Sequence, residues 1–122
     1  RRDSLIVRPK NLIIRPLILR FNFIEFSEIE IDFEHINQGK KGSRKNNLSL
    51  DEILSVAQSL INNEMLFPSG SEDFGLERCS YFVKRGIVEN KEFKIVFCIC
   101  SDRPNSIGVI TLFRVRGKNE PL

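Results

Sequence analysis

The sequence predicts an α+β domain in which one amphipathic helix packs on a three- to five-stranded, mainly antiparallel sheet. Three observations carry this. Residues 49–63 hold apolar side chains at helical spacing, residues 21–34 and 81–115 alternate apolar and polar side chains, and the connectors in the second region are short. At 122 residues, 41% hydrophobic, the chain can bury about two-thirds of its unfolded surface in one core without a metal or disulfide. Residues 21–122 are read as that domain, and residues 1–20 as a basic N-terminal arm or edge strands.

The arm repeats a pattern, Leu5-Ile-Val-Arg-Pro9 and Leu12-Ile-Ile-Arg-Pro16. Proline cannot donate to a ladder, which places these segments at a sheet edge or outside it. Phe21, Phe23, Ile29, Ile31 and Phe33 then share one parity, with Glu28, Glu30, Asp32 and Glu34 on the other. That is a half-buried strand whose acidic face is expected in solvent. The helix of residues 49–63 follows, with Leu50, Ile53, Leu54, Ala57, Leu60 and Ile61 as its stripe. Ser49 and Glu52 have the spacing of a capping box, Asp51 suits the helix dipole, and Asn62 and Asn63 are candidate terminators. Three strands complete the pattern: Tyr81 to Val88, Phe93 to Cys100 and Ile107 to Val115, joined through residues 89–92 and 101–106 as an antiparallel meander. Phe93, Ile95, Phe97 and Ile99 share the face that the helix is expected to cover.

The chemistry is first narrowed by what is missing. There is no P-loop, HExxH, GxSxG or CxxC pattern. Cys79, Cys98 and Cys100 show no framework spacing and no histidine cluster, so three buried thiols in a reducing compartment are expected, with no zinc site. No apolar run approaches the roughly twenty residues that span a bilayer, and no apolar segment with a cleavage site follows the basic N-terminus. A start at Arg1 suggests a fragment or a processed domain.

Net charge is only +3, from 19 Lys+Arg and 16 Asp+Glu, but it is segregated. Arg1, Arg2, Arg8, Lys10, Arg15 and Arg20 crowd the first twenty residues, and Lys40, Lys41, Arg44 and Lys45 fall within six. A basic surface that attracts phosphates is compatible with that pattern. His35, the sole histidine, closes the acidic strand and opens the basic loop of residues 36–45. An imidazole suits proton transfer near neutrality, and nearby cations offset the charge that builds on a phosphodiester during cleavage. On the last strand Thr111, Phe113 and Val115 share one face, and Leu112, Arg114 and Arg116 the other; Arg114 could hold a phosphate bidentately. Arg78, Tyr81, Lys84 and Arg85 are further binding candidates. Each has a plainer reading as a surface or strand-forming side chain.

The order Phe33-Glu34-His35, basic loop, capped helix, Arg-containing linker and a meander ending Val109-Ile-Thr-Leu-Phe-Arg114 resembles the ribonuclease toxins of the barnase–EndoU–colicin–RelE (BECR) superfamily. It is most similar to the BrnT-like and DUF4258-like branches and to toxin domains of contact-dependent inhibition proteins. The resemblance spans about residues 29–116. It implies a metal-independent RNA endonuclease without cofactor, in which the RNA 2′-OH attacks its own phosphate. His35 would be the general acid or base, Lys41 or Arg44 a phosphate stabiliser, and Thr111 and Arg114 contacts to the scissile phosphate. Lys40, Lys45, Arg78, Tyr81 and Lys84 would bind substrate. The implied partners are RNA, transfer RNA among the candidates, and a cognate antitoxin or immunity protein, with no membrane. The implied site of action is the cytoplasm, with delivery from another cell inside a larger secreted protein as one route. The chain departs from the family pattern in its long loop 36–48, its lack of a second histidine and its N-terminal arm. The rival reading is a non-catalytic protein-interaction module of similar fold; a nucleic-acid binder that leaves RNA whole is a third.

Overall fold

A computed structural model describes residues 12–38, 47–74 and 77–115. Six strands form one mixed sheet: β1 (Leu12–Phe21), β2 (Ile24–Asp32), β3 (Gly70–Phe74), β4 (Glu77–Val88), β5 (Lys91–Cys100) and β6 (Ser106–Arg114). Two helices, α1 (Phe33–Gln38) and α2 (Leu50–Ile61), separate β2 from β3. The spatial order is β1-β2-β6-β5-β4-β3. Neighbours are antiparallel except β2 and β6, which run parallel. The fold is α+β as expected, with more strands than the three to five anticipated and a second helix.

The helix forms as its sequence dictates. The Ser49 side chain accepts from the backbone N–H of Glu52 (3.1 Å), and Glu52 Oε1 accepts from that of Ser49 (2.9 Å), which satisfies both donors of the capping box. Ile53, Val56, Ala57, Leu60 and Ile61 are buried. At the far end Asn62 stays extended and Asn63 takes φ 66°, so the chain leaves the helix through a left-handed residue. The stripe covers Phe93, Ile95 and Phe97 of β5 and Phe82 of β4, all buried. Phe21 meets Phe82 and Phe97 edge-on at centroid distances of 4.9 and 5.1 Å. Gly86 lets the helix lie close, since a Cβ there would stand 2.6 Å from Leu60 Cδ2.

Three local expectations are corrected. Phe21 and Phe23 do not lie in one strand with Ile29: Asn22 (φ 51°) and Phe23 (φ 65°) make a two-residue hairpin turn, with Phe21 paired to Ile24. Phe21 is therefore fully buried and Phe23 is 82% exposed. The acidic face of β2 is not all solvated, because Glu30 is buried. Ser106 Oγ donates to its Oε2 at 3.1 Å, and Arg103 Nε lies 3.4 Å from the same oxygen. Finally, Cys79 and Cys100 are not free thiols. They sit opposite each other on β4 and β5 and form a disulfide, while Cys98 keeps its thiol. Among the described residues no helix is long and apolar enough to cross a membrane.

Two measurements check this account. Ser49→Ala removes the cap and is expected to cost about 1 kcal/mol in a urea or thermal unfolding experiment. Phe23→Gly removes a Cβ from a left-handed position and is expected to stabilise by about 1 kcal/mol.

Candidate functional site

His35 does not end a strand, as its sequence position suggested, but lies within α1. Asp32 starts that helix, its Oδ1 accepting from the backbone N–H of His35 at 3.1 Å. Ile36 is the anchor, 1% exposed and part of the single core beneath α2, which leaves the neighbouring His35 side chain exposed. α1 packs against β6. The reason is the parallel pairing. β2 and β6 run their C-terminal ends to the same end of the sheet, and their pairing stops at Ile31 and Val109. β6 continues to Arg114 while the chain after β2 turns into α1.

Arg114 is exposed at the end of β6, opposite Phe93 and on the face of buried Leu112. His35 and Arg114 therefore share one end of the sheet and its helix-bearing side. Lys40, Lys41, Arg44 and Lys45 lie outside the described residues. The flanks of their segment are held together: Asn37 Nδ2 donates to the Leu48 carbonyl (3.0 Å), and the Leu48 N–H donates to Asn37 Oδ1 (2.9 Å). Residues 37 and 48 are thus bonded to each other across the interval that contains those four cations in sequence. A cavity of about 200 Å³ adjoins this end. Leu48, Val56, Val88 and Phe93 form its apolar walls, while Asp51, Glu52, Ser55, Glu89 and Lys91 line the rest, so its charge is mainly acidic. Two of them also belong to the surroundings just described, Leu48 through Asn37 and Phe93 through Arg114.

The remaining candidates fall elsewhere. Thr111 pairs with Val96 on the opposite face of β6 from Arg114, because alternation continues unbroken from Thr111 to Arg114. The register shift between Val96 and Phe97 lets Val109 and Leu112 both reach the core without disturbing that order. Tyr81 shares the Thr111 face, opposite Cys98. Lys84 points to the helix side, where its Nζ meets Glu64 at 2.9 Å. Arg78 lies at the far end, its Nη2 3.2 Å from Ser71 Oγ and its backbone bonded to Ser101. From the register, seven residues of β5 separate the level of Cys79 from that of Arg114, roughly 23 Å at the strand rise. Arg78 and Arg114 cannot serve one phosphate.

Arg85, a sequence candidate, belongs to a row whose other two members, Lys94 and Phe113, the sequence did not bring to it. Arg85, Lys94 and Phe113 lie side by side across β4, β5 and β6 on the face turned away from α2. Arg85 is paired there with Glu92 at 3.1 Å. The signal was present, since Lys94 has the opposite parity to Phe93 and Ile95, but the face mattered only once β6 was known to lie beside β5. Among the described residues no group of three or more His, Cys, Asp or Glu side chains is arranged to hold a metal ion.

No protein-family model, curated protein or solved structure matches the chain.

Asn37→Ala removes both bonds to Leu48 and leaves that carbonyl and N–H without this partner. The expected cost is about 1–3 kcal/mol, with faster amide exchange at Leu48 while the β4–β5 amides keep their protection.

Proposed function

We propose that this chain is a metal-independent RNA endonuclease acting by 2′-OH transesterification, a toxin restrained by a cognate antitoxin or immunity protein. One observation carries the reading. An exposed imidazole on α1 stands at the same end and side of the sheet as an exposed guanidinium on β6.

The reaction asks little of the protein, because the nucleophile belongs to the substrate. The 2′-oxygen bonds to phosphorus as the bond from phosphorus to the 5′-oxygen breaks, leaving a 2′,3′-cyclic phosphate and a free 5′-hydroxyl. His35 takes the proton from the 2′-OH, a task typically worth about 10²–10⁴ in rate. Arg114 and the cations of residues 40–45 lower the energy of the charge gathering on the non-bridging oxygens. Water or a protonated side chain supplies the proton to the leaving oxygen. Thr111, on the other face, is assigned no part in bond cleavage. Arg78, at the far end, is assigned none either.

The second reading, a non-catalytic interaction module, has its own support. Phe23 and Phe67 are 82% and 92% exposed, as a protein-binding patch would require.

Purified protein incubated with mixed RNA in excess EDTA is expected to produce fragments ending in 2′,3′-cyclic phosphate. His35→Ala should lower the rate by at least about 100-fold with unchanged circular dichroism, and Arg114→Ala by about 10²–10³. Intact RNA with folded wild-type protein would favour the interaction module. Undiminished cleavage by folded His35→Ala would remove the imidazole from the mechanism.

A further inference from the structure

All three cysteines of the chain meet on one face of the sheet, although Cys79 is distant in sequence from the other two. Cys79 and Cys100 are joined and almost fully buried, at 3% and 4% exposure. Cys98, half-buried, lies two residues along β5 on the same face, its Sγ 3.9 Å from Cys100 Sγ. Gly108 of β6 is its neighbour across the ladder, and a Cβ there would approach the Cys98 sulfur to 3.2 Å. A glycine thus leaves room for the third sulfur.

We propose that reducing the Cys79–Cys100 disulfide converts this triad into a three-thiolate site for a thiophilic cation, zinc foremost. Thiolates bind such cations in preference to oxygen-seeking ones. Zinc–thiolate bonds of about 2.3 Å place ligand sulfurs roughly 3.8 Å apart in a tetrahedral site and roughly 4.0 Å apart in a trigonal one. The Cys98–Cys100 separation already lies in that range. Once the bond to Cys100 is cut, Cys79 must turn its sulfur towards Cys98, two residues along β5, from a backbone that the β4–β5 ladder holds opposite Cys100. In the oxidised protein the disulfide consumes two of the three sulfurs.

The chemistry balances with a dithiol as reductant. It gives two electrons and two protons to the disulfide and closes to its own cyclic disulfide. Zinc then displaces three protons from the three thiols and keeps a fourth position for water. This site is independent of RNA cleavage and lies on the face opposite to Arg114.

The test uses full-length protein, reduced with a dithiol and freed of it without oxygen, then titrated with Co²⁺ alone. A thiolate-to-cobalt charge-transfer band and the visible bands of four-coordinate cobalt should saturate at one equivalent and be displaced by Zn²⁺. Air-oxidised protein should show neither. Cys98→Ser retains the disulfide, so its folding can be verified in the oxidised form. After reduction its affinity should fall by more than the about 10- to 100-fold that loss of an outer-shell partner causes. The proposal is overturned if folded, reduced wild-type protein gives no band, if Cys98→Ser binds equally well, or if the reduced protein is unfolded even with Zn²⁺ present.

Discussion

The structure depends on one pairing, that of β2 with β6. Ile29 and Ile31 stand beside Ile107 and Val109, all four buried, in the sheet's one parallel ladder. Parallel strands cannot be joined by a tight turn, so everything from α1 to β5 forms the connection between them. The last strand of the chain thereby becomes central, joining the β1–β2 hairpin to the β3–β5 meander. Closing so long a loop costs entropy that only the buried contacts of β6 return. The same pairing carries α1 to the flank of β6, and with it His35 to the end where Arg114 lies.

A second constraint works at the opposite end, where backbone groups from the hairpin and the helix exit would otherwise be left without ladder partners. Asparagines supply them. Asn62 Oδ1 accepts from the Arg20 N–H at 2.9 Å, and the Asn22 amide both donates to and accepts from Leu66. The Asn22 N–H reaches the Glu64 carbonyl at 2.9 Å. These bonds tie the turn after β1 to the segment after α2, which holds Phe21 under the aromatic rings of β4 and β5. One end of the molecule is thus a hydrogen-bonded knot, and the other carries the exposed imidazole and guanidinium.

Several features were legible because they are local. The periodicity and capping box of α2 need no distant partner, and neither does the alternation of β5. Others were misread for equally physical reasons. Phe21 and Phe23 have strand parity, yet the backbone reverses between them, because the asparagine at position 22 has partners near Leu66 that only the fold provides. Phe33 continues the parity of Ile29 and Ile31, but Asp32 caps a helix instead. A connector of residues 89–92 would have placed Cys79 opposite Asp102. The actual turn is Glu89–Asn90, both at positive φ, and it sets Cys79 opposite Cys100.

By itself the sequence determined what one segment can decide within a few turns or strand repeats: an α+β composition, the limits of the main helix and most of its buried stripe (Ile53, Ala57, Leu60 and Ile61, though not Val56), the apolar face of β5 and the parity that separates Thr111 from Arg114. Only the tertiary structure decided which strands are neighbours, that Glu30 is covered by Arg103 and Ser106, that three cysteines converge, and that α1 flanks β6. Those outcomes rest on contacts between residues far apart in the chain. Such contacts are set by how the whole core closes, and no local pattern of side chains encodes that closure.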